Sequence, residues 1–303
     1  MFNTWQNSAL LSFRLVPDGP ILVRAQQVGV DPGAADILFH RTRHQGRSTV
    51  FLAGSGLKGV LRAHCEQLLR SADHFCCDPT RLKDDDACSA TSKQANEHRE
   101  KEEERGNYPH ARQCPACFTF GSTRVAGRFH FDDAFPAEKL WEETNRTEVR
   151  AGVGIDRKSQ GPAEGVLYDT EVVVGGGFEV KLRGENFCLW QLGLVLQGIA
   201  DLGLGLVRVG GCKSRGMGAM KVEKPSLTLR FLDRDNGQLN GIRRQGKLRL
   251  NYGLPGTDRL AIGPGQEDCE GLFRRVVYDG EAFEEISRSL ATGPLDGYLK
   301  GKA

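Results

Sequence analysis

The stretch VFLAGSGLKGVLRAHCEQLLR, residues 50–70, joins a regular apolar stripe to a glycine-rich start. Leu57, Val60, Leu61, His64, Cys65, Leu68 and Leu69 recur at helical spacing, so one face of residues 57–70 should lie on a core. Lys58, Arg62 and Glu66 share another stripe, which would face away from that core. Gly54, Ser55 and Gly56 precede them and place a flexible turn, with Ser55 as a cap, where helix-terminal amides attract anions. An ordinary strand-to-helix turn would need the same residues, and the rest of the chain has to decide between the two.

Upstream, ALLSFRLVPDGPILVRA (residues 9–25) alternates apolar and polar side chains around an Asp-Gly-Pro turn, predicting a strand that leads into a second, short one. Residues 26–49 carry glycines, a proline and a basic group from Arg41 to Arg47 with little regular period, and predict a surface loop. Downstream, residues 73–117 form a hydrophilic insertion whose charged run NEHREKEEERGN (96–107) reads as a solvated helix or disordered segment. FTFGS and GRFHFDDAF then alternate again and predict a return to the sheet.

Residues 147–183 hold two strand-like runs around a Gly/Pro/Ser/Gln-rich tip, a long hairpin projecting from the sheet. ENFCLWQLGLVLQGIADLG (185–203) predicts a mostly buried second helix, and a glycine-rich segment with Lys213 and Arg215 follows it. The pattern over residues 1–224 predicts an α+β domain with a ferredoxin-like core, its helices on one sheet face and elaborated by insertions. Residues 225–303, with strand-like TLRFLDR and GKLRLNY and a Gly-rich tail, would pack on this core or on a neighbouring subunit.

The chain has 303 residues, 39% of them hydrophobic, enough for a sizeable core. No apolar run is long enough to span a bilayer, and the N-terminus lacks the basic start and cleavage site of a signal peptide, so the expected location is the cytoplasm, with no membrane partner. A net charge of +2 means that any nucleic-acid surface must be a local concentration of Lys and Arg.

Nine cysteines in that compartment argue against disulfides, and five of them fall within residues 76–117. Cys114-Pro-Ala-Cys117 lets two thiolates reach one tetrahedral ion, and Cys88 with Cys77, or with Cys76 in its place, would complete a structural zinc site. Such a site would keep a core-poor insertion folded. A redox Cys-x-x-Cys is the alternative, but no thioredoxin-like context surrounds it. Cys65, Cys188 and Cys212 read as lone small hydrophobes or loop residues. In GGCKSRGMG (210–218) the glycines allow close approach of a phosphodiester backbone while Lys213, Ser214 and Arg215 supply donors; no Walker pattern is present, which argues against a nucleoside triphosphate.

The order of GSGLKGVLR, CPACFTFG, the RAGVGIDRKSQGPAEGVLYDTEVV hairpin and GGCKSRGMGAM resembles the RAMP superfamily, specifically the repeated backbone subunits of type III CRISPR effector complexes, over residues of about 8 to 222. The resemblance implies a modified RNA-recognition fold that polymerises along a CRISPR guide RNA, pairs it with complementary target RNA and assembles with other type III effector subunits. Gly54, Ser55, Lys58, Gly59 and Arg62 match the family's guide-contacting G-S-x-x-K-G-x-x-R motif, and Gly210, Gly211, Lys213, Arg215, Gly216 and Gly218 match its glycine-rich loop. The hairpin matches the thumb that displaces bases at regular intervals, with Ile155, Asp156 and Arg157 in the matching stretch.

The resemblance also implies an endoribonuclease whose cleaving residue is a loop aspartate in a G-x-x-D context, matched by Gly33-Ala34-Ala35-Asp36. Asp36 would position a divalent metal such as magnesium, or assist proton removal, as a 2′-hydroxyl attacks the adjacent phosphate to leave a 2′,3′-cyclic phosphate and a 5′-hydroxyl. Asp31 is the second candidate. The segment after Asp36 is more basic than the family pattern; Arg41 and Arg43 would contact phosphate, and His40 with His44 form a metal-independent acid/base alternative. Two rival functions stand beside target cleavage: a non-catalytic guide-binding scaffold with the same contacts, and an endoribonuclease that processes the guide precursor alone.

Overall fold

Alternation of apolar side chains along residues 7–17 and 178–185 builds the centre of the sheet. The computed structural model describes residues 5–25, 34–81, 87–90, 97, 113–232, 237–242 and 258–301. Asp31, Gly33, GKLRLNY and the charged run apart from Glu97 lie outside the described residues.

Strand β1 (Asn7–Pro17) is followed by a hairpin, β2 (Arg41–His44) and β3 (Arg47–Val50), and by helix α1 (Gly54–Ser71). Beyond the insertion come helix α2 (Pro115–Phe120) and strands β4 (Phe129–Phe131) and β5 (Phe135–Pro136). The projecting hairpin is β6 (Thr147–Ile155) and β7 (Pro162–Val173). Next are β8 (Phe178–Glu185), α3 (Leu189–Gly203) and β9 (Met220–Phe231). The C-terminal part supplies β10 (Gln238–Asn240), β11 (Arg259–Ala261), β12 (Gln266–Glu270), β13 (Phe273–Asp279) and α4 (Glu281–Leu290).

The main sheet has seven strands in the order β12-β13-β9-β1-β8-β4, with β5 also on β8, and every pairing is antiparallel. Phe178, Val180 and Leu182 of β8 are buried in one core with Leu57, Leu61 and Leu69 of α1 and Leu192 and Ile199 of α3. Each fully buried leucine contributes about 2 kcal/mol. His64, counted within the apolar stripe, places Nε2 2.6 Å from Asp201 Oδ2 and so joins α1 to α3.

On the opposite face Glu179, Lys181 and Arg183 stay exposed. Its arginines are matched to carboxylates: Arg14 to Glu179 at 2.8 Å, Arg183 to Asp132 at 2.6 Å, Arg275 to Asp268 at 2.6 Å and Arg230 to Glu270 at 3.2 Å. The β1 positions on this face are Ser8, Leu10, Ser12 and Arg14, without the aromatic platform on which an RNA-recognition motif stacks bases.

Four local expectations change. The surface loop contains the β2–β3 hairpin, closed by Gln45 (φ 50°) and Gly46 (φ 79°), both left-handed as a two-residue hairpin turn requires. FTF of FTFGS (118–120), expected as strand, belongs to the helix Pro115–Phe120, because Pro115 starts the turn and the Cys114 sulfur accepts from the Cys117 amide. The second short strand reduces to isolated bridges, Ile21 to Val173 and Arg24 to Phe39. The Gly-rich tail contains β12, β13 and α4, and β13 pairs along the outer edge of β9, which itself continues past residue 224 through a β-bulge at Lys224 (φ 48°).

Candidate nucleic-acid interface and metal centre

The root of the β6–β7 hairpin gathers segments that are far apart in sequence. Ile21 and Val173 exchange main-chain bonds of 2.9 and 3.1 Å, the Ile37 amide donates to Asp169 O at 3.0 Å, and the Glu171 amide donates to Ile37 O at 2.8 Å. The Asp169 amide donates to Asp36 Oδ2 at 2.9 Å, so the exposed Asp36 carboxylate is anchored through one oxygen to β7. Below it Glu171 accepts from the Phe39 amide at 2.8 Å, from Thr147 Oγ1 at 2.7 Å and from Arg41 Nη2 at 2.5 Å. Burial alone would raise its pKa; the bonds from Thr147, Arg41 and Phe39 outweigh burial and hold it below the ordinary carboxylate range. Arg41, though 37% exposed, is therefore a strut of the hairpin root, and Arg43 is exposed beside it.

The glycine-rich loop joins the same region. Gly210 has φ 82°, and a Cβ there would lie 2.1 Å from Leu22 O. Gly218 has φ 89°, with a Cβ position 2.3 Å from Val209 O, and the Gly211 amide donates to Leu22 O at 2.8 Å. Gly216 is also left-handed, at 81°, but open space surrounds it. Between Cys212 and Gly216 the chain makes a 3₁₀ turn that exposes Lys213 and Arg215, and Arg215 Nη1 donates to the Tyr168 hydroxyl on β7. Residues 20–25 thus lie between this loop and residues 36–40, which in turn lie on β7.

At the start of α1 the N-cap is Ala53 and makes no side-chain cap; Ser55 is an exposed residue of the first turn, which corrects the expected serine cap. The Gly54 amide donates to Asp133 Oδ1 at 2.7 Å, and a Cβ at Gly54 would lie 2.3 Å from Phe131 O. Glycine is needed there for close packing on the segment after β4. Lys58 is half-buried, and burial, with the Arg62 guanidinium one turn on, pulls its ammonium below the ordinary lysine range. An anion reaching it would relieve both effects.

Arg62 was expected to face away from the core and does not. Its side chain is only 15% exposed. It donates to Glu66 Oε1 at 2.8 Å, to Gly121 O at 2.7 Å and to Cys117 Sγ at 3.1 Å.

Cys77, Cys88, Cys114 and Cys117 are buried, with their four sulfurs all within 4.8 Å of one another. Cys77 Sγ lies 3.5 Å from Cys117 Sγ and 3.8 Å from Cys114 Sγ. Four sulfurs about 2.3 Å from a tetrahedral zinc would be separated by about 3.8 Å, so the cluster is compatible with a structural metal such as zinc. The hydrogen bonds shared among the sulfurs push the Cys114 thiol down and those of Cys117 and Cys88 up, so without a cation the four do not ionise together. Of the adjacent pair, Cys77 belongs to the foursome and Cys76 lies beside it. Among the described residues no other group of three or more His, Cys, Asp or Glu side chains converges in this way.

The remaining candidates are dispersed. His40 packs on Phe51, 4.6 Å between ring centroids, and His44 stacks on Phe135 at 3.7 Å. At extended spacing their backbones are separated by about 13 Å, too far to bracket one phosphate. At the hairpin tip Asp156 accepts from the Lys158 and Ser159 amides and the Ser159 hydroxyl, which makes it a turn former, while Ile155 and Arg157 are exposed. Sequence reasoning missed Tyr168, Asp169 and Glu171, whose only signal was their place at the base of a long hairpin.

A sequence model of the RAMP superfamily matches residues 23–221, well over half of the chain. The chain belongs to the RAMP superfamily. A CRISPR-associated RNA-binding role comes with that membership, since RAMP proteins bind CRISPR RNA within multisubunit complexes. Among curated proteins none matches the chain. No helix among the described residues is long and apolar enough to cross a membrane.

Proposed function

We propose that this RAMP protein is a backbone subunit of a type III CRISPR effector complex, binding guide RNA across the hairpin root and cutting complementary target RNA at Asp36. The observation that carries the proposal is the anchoring of Asp36 on Asp169 and of Arg215 on Tyr168, consecutive residues of β7. A catalytic loop, a phosphate-contacting loop and a base-displacing hairpin would then act as one unit. The order β9-β1-β8-β4, with α1 following β1 and α3 following β8, is the strand order of a ferredoxin-like core, which supports the fold assignment.

In this scheme Val149, Val153, Ile155 and Leu167, all exposed on the hairpin, supply an apolar wedge against bases. Lys58, Arg43 and Lys213 are cations open to phosphate. A displaced target nucleotide aligns its 2′-hydroxyl with the adjacent phosphorus. Attack there forms the bond from the 2′-oxygen to phosphorus and breaks that to the 5′-oxygen, which leaves with a proton from solvent water. Asp36, with Oδ2 held by the Asp169 amide, retains Oδ1 for a magnesium ion or for the departing 2′-hydroxyl proton. A magnesium ion held by so few carboxylates would depend on RNA phosphates for its other ligands.

The Asp36 anchor also favours a second reading, a scaffold subunit in which Asp36 only ties its loop to the hairpin. Histidines packed on separate rings give the guide-processing alternative no comparable support. The test is to purify the chain with a co-expressed CRISPR array. RNA of defined length with a common terminal tag is expected, and protein free of RNA at low salt would refute guide binding.

A further inference from the structure

Arg62 has the family motif's identity and the wrong surroundings for a phosphate contact. Its guanidinium makes three bonds inside the protein, one of them to the sulfur of Cys117. Glu66, which accepts from Arg62, also accepts from Arg70 at 3.2 Å, and Arg70 donates to Cys76 O at 3.2 Å. Three successive turns of α1 are thereby laced to two of the three cysteine-bearing segments, residues 76–77 and 114–117. Four thiolates around a divalent ion carry a formal charge of −2, which a buried site must offset with donors. Main-chain amides provide two, Cys114 N to Cys88 Sγ at 3.2 Å and Cys117 N to Cys114 Sγ at 3.4 Å. Arg62 is the cationic donor.

We infer that Arg62 is a positioning residue of the metal centre, donating to the metal-bound Cys117 thiolate and fixing the cluster to the helix that carries Lys58. The inference rests on reading the cysteine cluster as a metal site. A protonated guanidinium lowers electron density on the Cys117 sulfur without displacing it from the metal, and its other bonds to Gly121 O and Glu66 hold it in one orientation. Lysine, a single point donor on a flexible stem, would replace the charge but not this geometry.

The experiment uses the full-length chain loaded with cobalt(II), whose thiolate charge-transfer band reports on the ligating sulfurs. Competition with a chelator measures the affinity for zinc. Arg62→Met should move the charge-transfer band to longer wavelength and weaken zinc binding about tenfold or more, the usual effect of losing an outer partner of a ligand. Arg62→Lys should fall between, and Lys58→Met should match the parent in both readouts. If Arg62→Met is too unstable to purify, Arg62→Lys with the parent's band and affinity overturns the inference. Parent-like values for Arg62→Met overturn it too, and if RNA retention alone then falls, Arg62 returns to the phosphate contacts. A parent protein that binds neither zinc nor cobalt would instead remove the metal reading itself.

Discussion

In the proposed cleavage the two carboxylate oxygens of Asp36 would have separable tasks. Oδ2 accepts from the Asp169 amide, a bond that a neutral amide side chain can also accept, whereas metal binding or proton removal needs the carboxylate charge. Asp36→Asn in an assembled complex should therefore abolish target cutting while leaving protease resistance of the hairpin root unchanged. Asp36→Ala should lose both. Cutting by Asp36→Asn near the parental rate, measured as single-turnover kinetics, would assign Asp36 to anchoring alone. The glycine-rich loop allows a similar separation. Gly210 and Gly216 share a left-handed φ near 80°, but only Gly210 has main chain pressed against it. Gly216→Ala should cost about 1 kcal/mol for the backbone conformation alone. Gly210→Ala must also displace Leu22 and should cost about 2 kcal/mol or more by denaturant unfolding. Equal losses would mean that the Leu22 approach relaxes freely.

At the scale of elements, α3 begins on an acid that resists ionisation. The Leu189 amide donates to Asp258 Oδ2 at 2.9 Å, and burial pushes that carboxyl from 3.8 up to about 6. A folded-state value above the unfolded one means that folding takes up a proton. The contribution is fully present below about pH 4 and is lost as the pH rises through 6, a difference of about 3 kcal/mol. Asp258→Asn keeps the acceptor and removes the titration. Relative to the parent it should gain stability between pH 4.5 and 7.5 in urea unfolding, and parallel pH curves for the two would refute the assignment. Elements of this kind were unequally legible in the sequence. Period revealed α1 and β1, each of which buries one regular face; α3 showed as a continuous apolar run, and the long hairpin as two strand-like runs around a Gly/Pro/Ser/Gln-rich tip. The β2–β3 hairpin was hidden because Gln45-Gly46 is not one of the usual turn pairs, and α2 because FTF alternates like a strand while its conformation is set by Pro115 and the Cys114 sulfur. The cysteine foursome could be read from spacing, but Arg62 could not: an exposed helical stripe and one that meets a folded insertion are identical until the insertion is placed.

Across the whole molecule the distribution of charge decides where RNA can lie. A net charge of +2 gives little general attraction, and the arginines of the open sheet face are held by Glu179, Asp132, Asp268 and Glu270. Arg41 and Arg62 are drawn inward by Glu171 and by Glu66 with Cys117. Lys58, Arg43 and Lys213, from α1, β2 and the glycine-rich loop, are among the cations that remain, with Arg215 and Arg157 also exposed. Each phosphate contact on single-stranded RNA adds about 0.7 to the slope of log affinity against log salt, whatever the base. Lys58→Ala together with Lys213→Ala should lower that slope by about 1.4 and weaken binding evenly across unrelated sequences, as filter binding between 50 and 300 mM salt would measure. Arg183→Ala together with Arg275→Ala removes the same formal charge from the opposite face, where each arginine already has its carboxylate, and should leave the slope unchanged. A flattened slope in that second pair, with a parental slope in the first, would move the RNA path to the open sheet and detach it from Asp36.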